Sequence, residues 1–214
     1  MLVRKPQTVK PFGKGRDPKL PALLLCDRQA SMCSAWEEHF QYIDQVAIYR
    51  GDILRLKADA LVSPANSFGE MSGGLDRAID LYFEGRAQAI LAMEINKLYW
   101  GELPVGTALI AEMGTRNFGH LIAAPTMRVP GLLPKDSIHA YLSMRAILVS
   151  TLRHNTSSQP AIQSIAIPGL CTGVGGMAPM ESALQMLTAY RNIVEGGWRQ
   201  VVHPAMAPFA RRKR

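Results

Sequence analysis

The 214-residue chain has only three cysteines, Cys26, Cys33 and Cys171, at spacings that suit no disulfide framework. They read as reduced, buried small hydrophobes. Its five histidines, His39, His120, His139, His154 and His203, are scattered, and neither HExxH nor CxxC occurs. That pattern predicts no zinc centre, and no other metal or cofactor is expected. No apolar run approaches the ~20 residues a membrane span needs. The opening "MLVRKPQTVKPFGKGRDPK" is basic but lacks the apolar centre of a secretory signal, so a cytoplasmic protein is expected. There are no internal repeats, and no GxGxxG or GxxxxGK[ST], which removes the Rossmann and P-loop nucleotide readings.

What is present is the composition of a soluble globular protein, 48% hydrophobic and 19% charged. Its length suffices for one sizeable core. The net charge of +7 is unevenly spread: residues 1–19 carry +5, residues 199–214 another +5, and residues 20–198 sum to −3. The reading is a basic N-terminal segment (1–19), one α/β domain (20–198) and a basic C-terminal tail (199–214). Because the body is slightly acidic, nucleic acid is left only weak phosphate contacts through the tails.

Strand-length apolar runs alternate with helical periodicity. Strands are expected over 21–27, 45–52, 59–66, 107–113, 120–127 and 164–170, with a turn around "GTRNFG" joining the fourth and fifth. Helical patterns cover 28–40, a stretch from Leu75 through Met93, another from Ile138 to Leu152, and the stripe from Met180 to Val194 with Pro179 at its first turn. "HNTSSQP" (154–160) reads as a polar loop. Such alternation predicts a mostly parallel sheet covered on both faces, with ligands at the carboxyl ends of the strands. Three strands end there in unusual residues: Gly51-Asp52-Ile53, Pro64 to Gly74, and Gly169 to Gly176.

"GLCTGVGGMAP" (169–179) joins a strand to a helix, and its backbone N–H groups together with the helix N-terminus can cradle an anion. Taken alone, it reads first as a tight strand-to-helix turn, by about two to one. Gly73-Gly74 opens a second helix, and two such loops at one sheet edge could clamp both sides of a diphosphate.

Together, "GDI" (51–53), "ALVSPANSFGEMSGGLDRAI" (60–79), "LPVGTALIAEMG" (103–114) and "IAIPGLCTGVGGM" (165–177) resemble the macrodomain family, whose members bind ADP-ribose. The likeness spans roughly residues 45–195, and the Asp–Asn–Asp spacing of the family recurs as Asp52, Asn66 and Asp76. It implies a three-layer α/β/α fold around a mixed, mostly parallel sheet, which the strand and helix of 21–40 would extend. It further implies that Asp52 accepts from the adenine amino group beside the Ile53 backbone, and that Asn66 bonds the distal ribose. Gly73, Gly74 and Leu75 would line one side of the diphosphate, and Thr172, Gly173, Val174, Gly175 and Gly176 the other. Asp76 would stand near the distal ribose, where hydrolytic members use an Asp on water.

Each residue also has a plain local reading: Asp52 as a turn or cap, Asn66 as the stabiliser of its own turn, Asp76 as a first-turn helix acid. The chain departs from the family pattern at Ser63-Pro64-Ala65-Asn66, where hydrolases carry Asn-Ala-Ala-Asn. It departs again at Met71-Ser72 before only two glycines, at Gly175 in place of an aromatic, and at Cys171 in place of Ser. The expected activity is binding of ADP-ribose with hydrolysis of an ADP-ribosyl bond, on protein or on a small derivative such as O-acetyl-ADP-ribose. A non-catalytic ADP-ribose reader is the alternative.

Overall fold

The computed structural model describes residues 20–158 and 160–210. The basic segment 1–19 and the terminal 211–214 lie outside these. Six strands form one sheet: β1 (Ala22–Asp27), β2 (Val46–Arg50), β3 (Ala60–Ser63), β4 (Leu109–Glu112), β5 (His120–Ala123) and β6 (Ser164–Ile167). Their order is β2-β1-β6-β3-β5-β4. All pairs are parallel except β4–β5, the antiparallel pair joined through the expected turn.

Strand periodicity sends alternate side chains to opposite faces. Leu23 and Leu25 of β1 join Val62 in a core built with α1 (Ala30–Phe40), α4 (His139–Ser157) and α5 (Pro179–Ile193). Leu24 and Cys26 join Leu61 in a second core under α2 (Gly74–Tyr82) and α3 (Arg86–Tyr99). The result is the expected three-layer α/β/α arrangement. Trp36 of α1 is fully buried in the first core, and its indole N–H points at Met186 Sδ, 3.4 Å away.

Three local readings change. The helical pattern from Leu75 splits into α2 and α3, because Glu84 and Gly85 take left-handed φ values of 59° and 77°. The buried stripe of α3 is Ala87, Leu91 and Ile95, while Met93 faces solvent. The polar stretch at 154–160 begins inside α4, which runs through Ser157; Asn155 exchanges two hydrogen bonds with the Ile162 backbone and Thr156 Oγ1 bonds back to the Leu152 carbonyl. Within 199–210, Phe209 packs edge-on against Tyr141, with ring centroids 5.5 Å apart.

Removing the indole at the centre of the first core leaves a large cavity and deletes its N–H contact with Met186. Trp36→Ala is expected to lower unfolding free energy by about 3–5 kcal/mol in denaturant titration. A loss below about 1 kcal/mol would show that α1 is only peripherally docked.

Candidate functional site

The carboxyl ends of β2, β1, β6 and β3 lie side by side, and every site residue expected from the sequence sits on a loop leaving that edge or in the first helical turn that follows it. The loop after β2 is tight. Asp52 caps the 3-10 turn Ile53–Arg55, its Oδ1 accepting from Leu54 N–H at 3.1 Å. Its Oδ2 accepts from Arg28 Nη2 at 2.9 Å. Burial works to raise this carboxyl, but the Leu54 N–H and the Arg28 guanidinium outweigh it and hold the group below the usual carboxylate range. Asp52 is therefore an ionised acceptor. The Ile53 side chain is buried in the second core, which leaves only its backbone for a ligand.

The loop after β3 is stitched to the chain leaving β5. Thr126 N–H bonds to the Ala65 carbonyl, Thr126 Oγ1 to the Pro64 carbonyl, and Ser67 N–H to the Arg128 carbonyl. Within this frame Asn66 holds its own turn. Its Oδ1 accepts from Phe68 and Glu70 N–H, and its Nδ2 donates to the Glu70 carbonyl at 2.8 Å. An amide has two N–H donors, so one remains without a partner among the described residues. Met71, where the family's glycine run would be longer, is buried, and its N–H bonds to Gln88 Oε1.

Gly73 and Gly74 are exposed at the start of α2, with Gly74 in the left-handed region at φ 56°; Leu75 is half-buried. Asp76 follows in the first turn, where the helix dipole favours a negative charge. Its Oδ1 accepts from Ser63 Oγ at 2.7 Å, and its Oδ2 has no partner among the described residues. Burial pushes this carboxyl up to about 6, against the pull of the Ser63 hydroxyl, with Glu70 adding a little to the rise.

The loop after β6 supplies Thr172, Gly173, Val174, Gly175 and Gly176. The Met177 N–H bonds to the Cys171 carbonyl, the Gly176 N–H to the Gly173 carbonyl, and α5 begins two residues on at Pro179. Gly175 is buried, and a Cβ there would lie 2.7 Å from the Cys171 carbonyl oxygen and 3.0 Å from Leu133. That backbone clash explains why no aromatic stands at this position. Val174 is 61% exposed, so this loop presents backbone and one apolar side chain outward. Burial pushes the Cys171 thiol up to about 12, which fits a filler and not a nucleophile.

The plain local readings of Asp52, Asn66 and Asp76 are thus all realised, each using part of a side chain and leaving another part unpartnered among the described residues or paired with the exposed Arg28 guanidinium. Four contributors escaped the sequence reading. Asp27, at the end of β1, accepts from Gln29 N–H and, across the sheet edge, from Gly169 N–H at 3.2 Å. Arg28 follows it. Ser63 ends β3, and Leu133 donates its N–H to the Gly175 carbonyl. Asp27-Arg28 carried a signal, as charged residues closing an apolar strand at the ligand edge, and Ser63 carried one as a departure from the family turn.

The Macro domain family profile matches residues 62–187, more than half of the chain, and the chain belongs to that family. Among its relatives, an uncharacterised protein of Aeropyrum pernix is 32% identical over 154 residues, covering 72% of this chain and 74% of its own. ADP-ribose glycohydrolase MACROD1 of Mus musculus is 28% identical over 160 residues, 72% of this chain and 45% of that protein. The fold is similar to the Oceanobacillus iheyensis macrodomain with ADP (TM-score 0.57, 21% identity, 68% of this chain and 74% of that one). It is also similar to Thermosipho africanus DarTG in complex with ADP-ribose (TM-score 0.55, 18% identity, 67% and 38%).

The elevated Asp76 carboxyl has a consequence for stability. A group titrating near 6 when folded and near 3.8 when free contributes stability that is fully present below about 4 and lost as pH rises through about 6. Asp76→Asn keeps a carbonyl for Ser63 and removes that loss. Chemical denaturation should find the variant's advantage over the parent growing between pH 4 and pH 7. A pH-independent difference would show that the carboxyl titrates as in the unfolded chain.

Proposed function

We propose that this protein binds ADP-ribose along the carboxyl edge of its sheet and hydrolyses an ADP-ribosyl bond at the β3 end. The observation that carries the reading is the order of groups along that edge. Asp52, with the Ile53 backbone, follows β2; the glycine loop follows β6; Asn66 and Asp76 follow β3. An adenine acceptor, a phosphate cradle and a ribose-facing amide and carboxylate therefore stand in the same sequence as the parts of ADP-ribose. Three strand spacings separate the ends, roughly 14 Å. The span suits an extended dinucleotide-sized ligand. Two related or similar macrodomain proteins named for ADP-ribose, the mouse glycohydrolase and the Thermosipho complex, support the same ligand.

Adenine would donate its amino hydrogen to the ionised Asp52, displacing or sharing Arg28. The diphosphate would take N–H groups from residues 172–176 and the positive N-terminal ends of α2 and α5. Asn66 has one N–H left for a distal-ribose hydroxyl. Asp76 at neutral pH is largely ionised, with Oδ2 open to water. It would receive the proton of a water whose oxygen bonds to the anomeric carbon, or to the ester carbonyl, as the existing C–O bond breaks. For attack at the anomeric carbon the carboxylate side chain departs as an anion and needs no acid; for attack at an ester carbonyl the departing ribose oxygen takes back the proton that Asp76 received. One carboxylate then suffices.

A second reading, an ADP-ribose reader without turnover, draws on Asn66. Three of its hydrogen bonds are spent on its own loop, which is what a binding turn alone requires.

Kinetics on protein ADP-ribosylated at carboxylates, and on O-acetyl-ADP-ribose, separate the two. Asp76→Ala should lower kcat by ~10²-fold or more with little change in affinity. Asp52→Ala should weaken ADP-ribose binding roughly ten- to a hundredfold while sparing kcat. If the parent binds ADP-ribose but releases nothing from either substrate, the reader stands. If Asp76→Ala turns over like the parent, the carboxylate is only a helix-start acid.

A further inference from the structure

Ser63 stands where hydrolases of the family carry the first amide of their Asn-Ala-Ala-Asn turn, and that substitution is the chain's largest departure at the site. The structure gives the replacement a definite task. Ser63 ends β3 and is fully buried. Its backbone is fixed in the parallel ladder against Ala123, and its carbonyl accepts from Ala124 N–H at 3.0 Å. A hydroxyl on so constrained a residue has few directions to point. It points at Asp76 Oδ1, 2.7 Å away, across thirteen residues of chain.

An ionised carboxylate can only accept, so the hydroxyl hydrogen lies on the Asp76 side. The bond is a charge-assisted one of the short O–H···O⁻ kind. It divides the carboxylate: Oδ1 is tied to the sheet, and Oδ2 has no partner among the described residues. A side chain that could otherwise rotate about two bonds is thereby held with one chosen oxygen facing the site.

We infer that Ser63 is the positioning residue of this site, anchoring Oδ1 of Asp76 to the end of β3 so that Oδ2 alone is presented to water and the distal ribose. This rests on the reading of Asp76 as the group that acts on water, and it deepens it. Ser63 touches no ligand itself. It acts through the carboxylate by fixing its rotamer and by stabilising its charged form. Without it, Asp76 is a buried carboxylate missing a donor, and the neutral form becomes easier to reach. The departure from the family turn is then a replacement of one polar anchor by another, and the site keeps a held carboxylate.

The test reads the carboxylate directly. In the full-length protein, the Asp76 side-chain carbon is titrated by 13C NMR in the parent, Ser63→Ala and Ser63→Cys, alongside the pH dependence of kcat on O-acetyl-ADP-ribose. Loss of a hydrogen bond to a charged group should move the Ser63→Ala midpoint up by about one pH unit. The acid limb of kcat should move with it, and Ser63→Cys, whose thiol is a weak donor of similar size, should fall between. A folded Ser63→Ala, or Ser63→Cys if the alanine variant does not fold, whose Asp76 midpoint matches the parent overturns the inference. The titration decides this even in a parent without turnover. An inactive parent with a moved midpoint counts against the hydrolase and leaves the Ser63–Asp76 anchor standing; an active parent with an unmoved midpoint does the reverse.

Discussion

The site edge depends on the hydrogen bonds of one acidic residue. Asp27 closes β1, the strand between β2 and β6, and it ties both neighbours to itself. Its carbonyl accepts from Gly51 N–H at 2.9 Å, which holds the turn that presents Asp52. Its carboxylate accepts from Gly169 N–H, which holds the start of the glycine loop, and from Gln29 N–H at the start of α1. A Cβ on Gly169 would lie 2.7 Å from that same carboxylate, so a larger residue would have to displace the Asp27 side chain from the Gly169 N–H. Two buried thiols complete the junction, Cys26 donating to the Gly51 carbonyl and Cys33 to those of Asp27 and Tyr49. Backbone groups turning away from a sheet must find partners, and here they find them in one another.

The same economy runs along the rest of the edge. Asp52 caps a turn with one oxygen and meets Arg28 with the other. Asn66 closes its loop and keeps one N–H. Asp76 is anchored at Oδ1, and its Oδ2 has no partner among the described residues. In each case local structure consumes part of the polar capacity and so fixes the direction of what remains. Preorganisation of this kind lowers the entropy lost on binding and holds reacting groups within narrow limits. Structural and functional readings of these residues are therefore not competitors.

Much of this was legible in the sequence because it depends on local pattern. Strand and helix periodicity gave all six strands and their alternation with helices, and the Asp52–Asn66–Asp76 spacing with two glycine loops gave the edge. Two failures were also local. A left-handed turn at Glu84-Gly85 splits one apparent helix, and a polar stretch reads as a loop although Asn155 and Thr156 bond back to backbone and let α4 continue. The rest was out of reach for a different reason. Asp27 meets Gly169 across 142 residues, and the Leu133 N–H meets the Gly175 carbonyl of a different loop. Ser63 reads as a departure from a motif until the fold sets it against Asp76. Such partners are set by strand order, which no periodicity encodes.

The central claim is that the edge from β2 to β3 accommodates the parts of ADP-ribose in order, each loop taking one part. Calorimetric titration with ADP-ribose, ADP and AMP tests it most directly. The account predicts a single site that binds ADP-ribose most tightly, ADP less tightly and AMP least, because each truncation leaves one further loop without its ligand group. Equal affinity for AMP and ADP-ribose, or no binding of ADP-ribose at all, would contradict it.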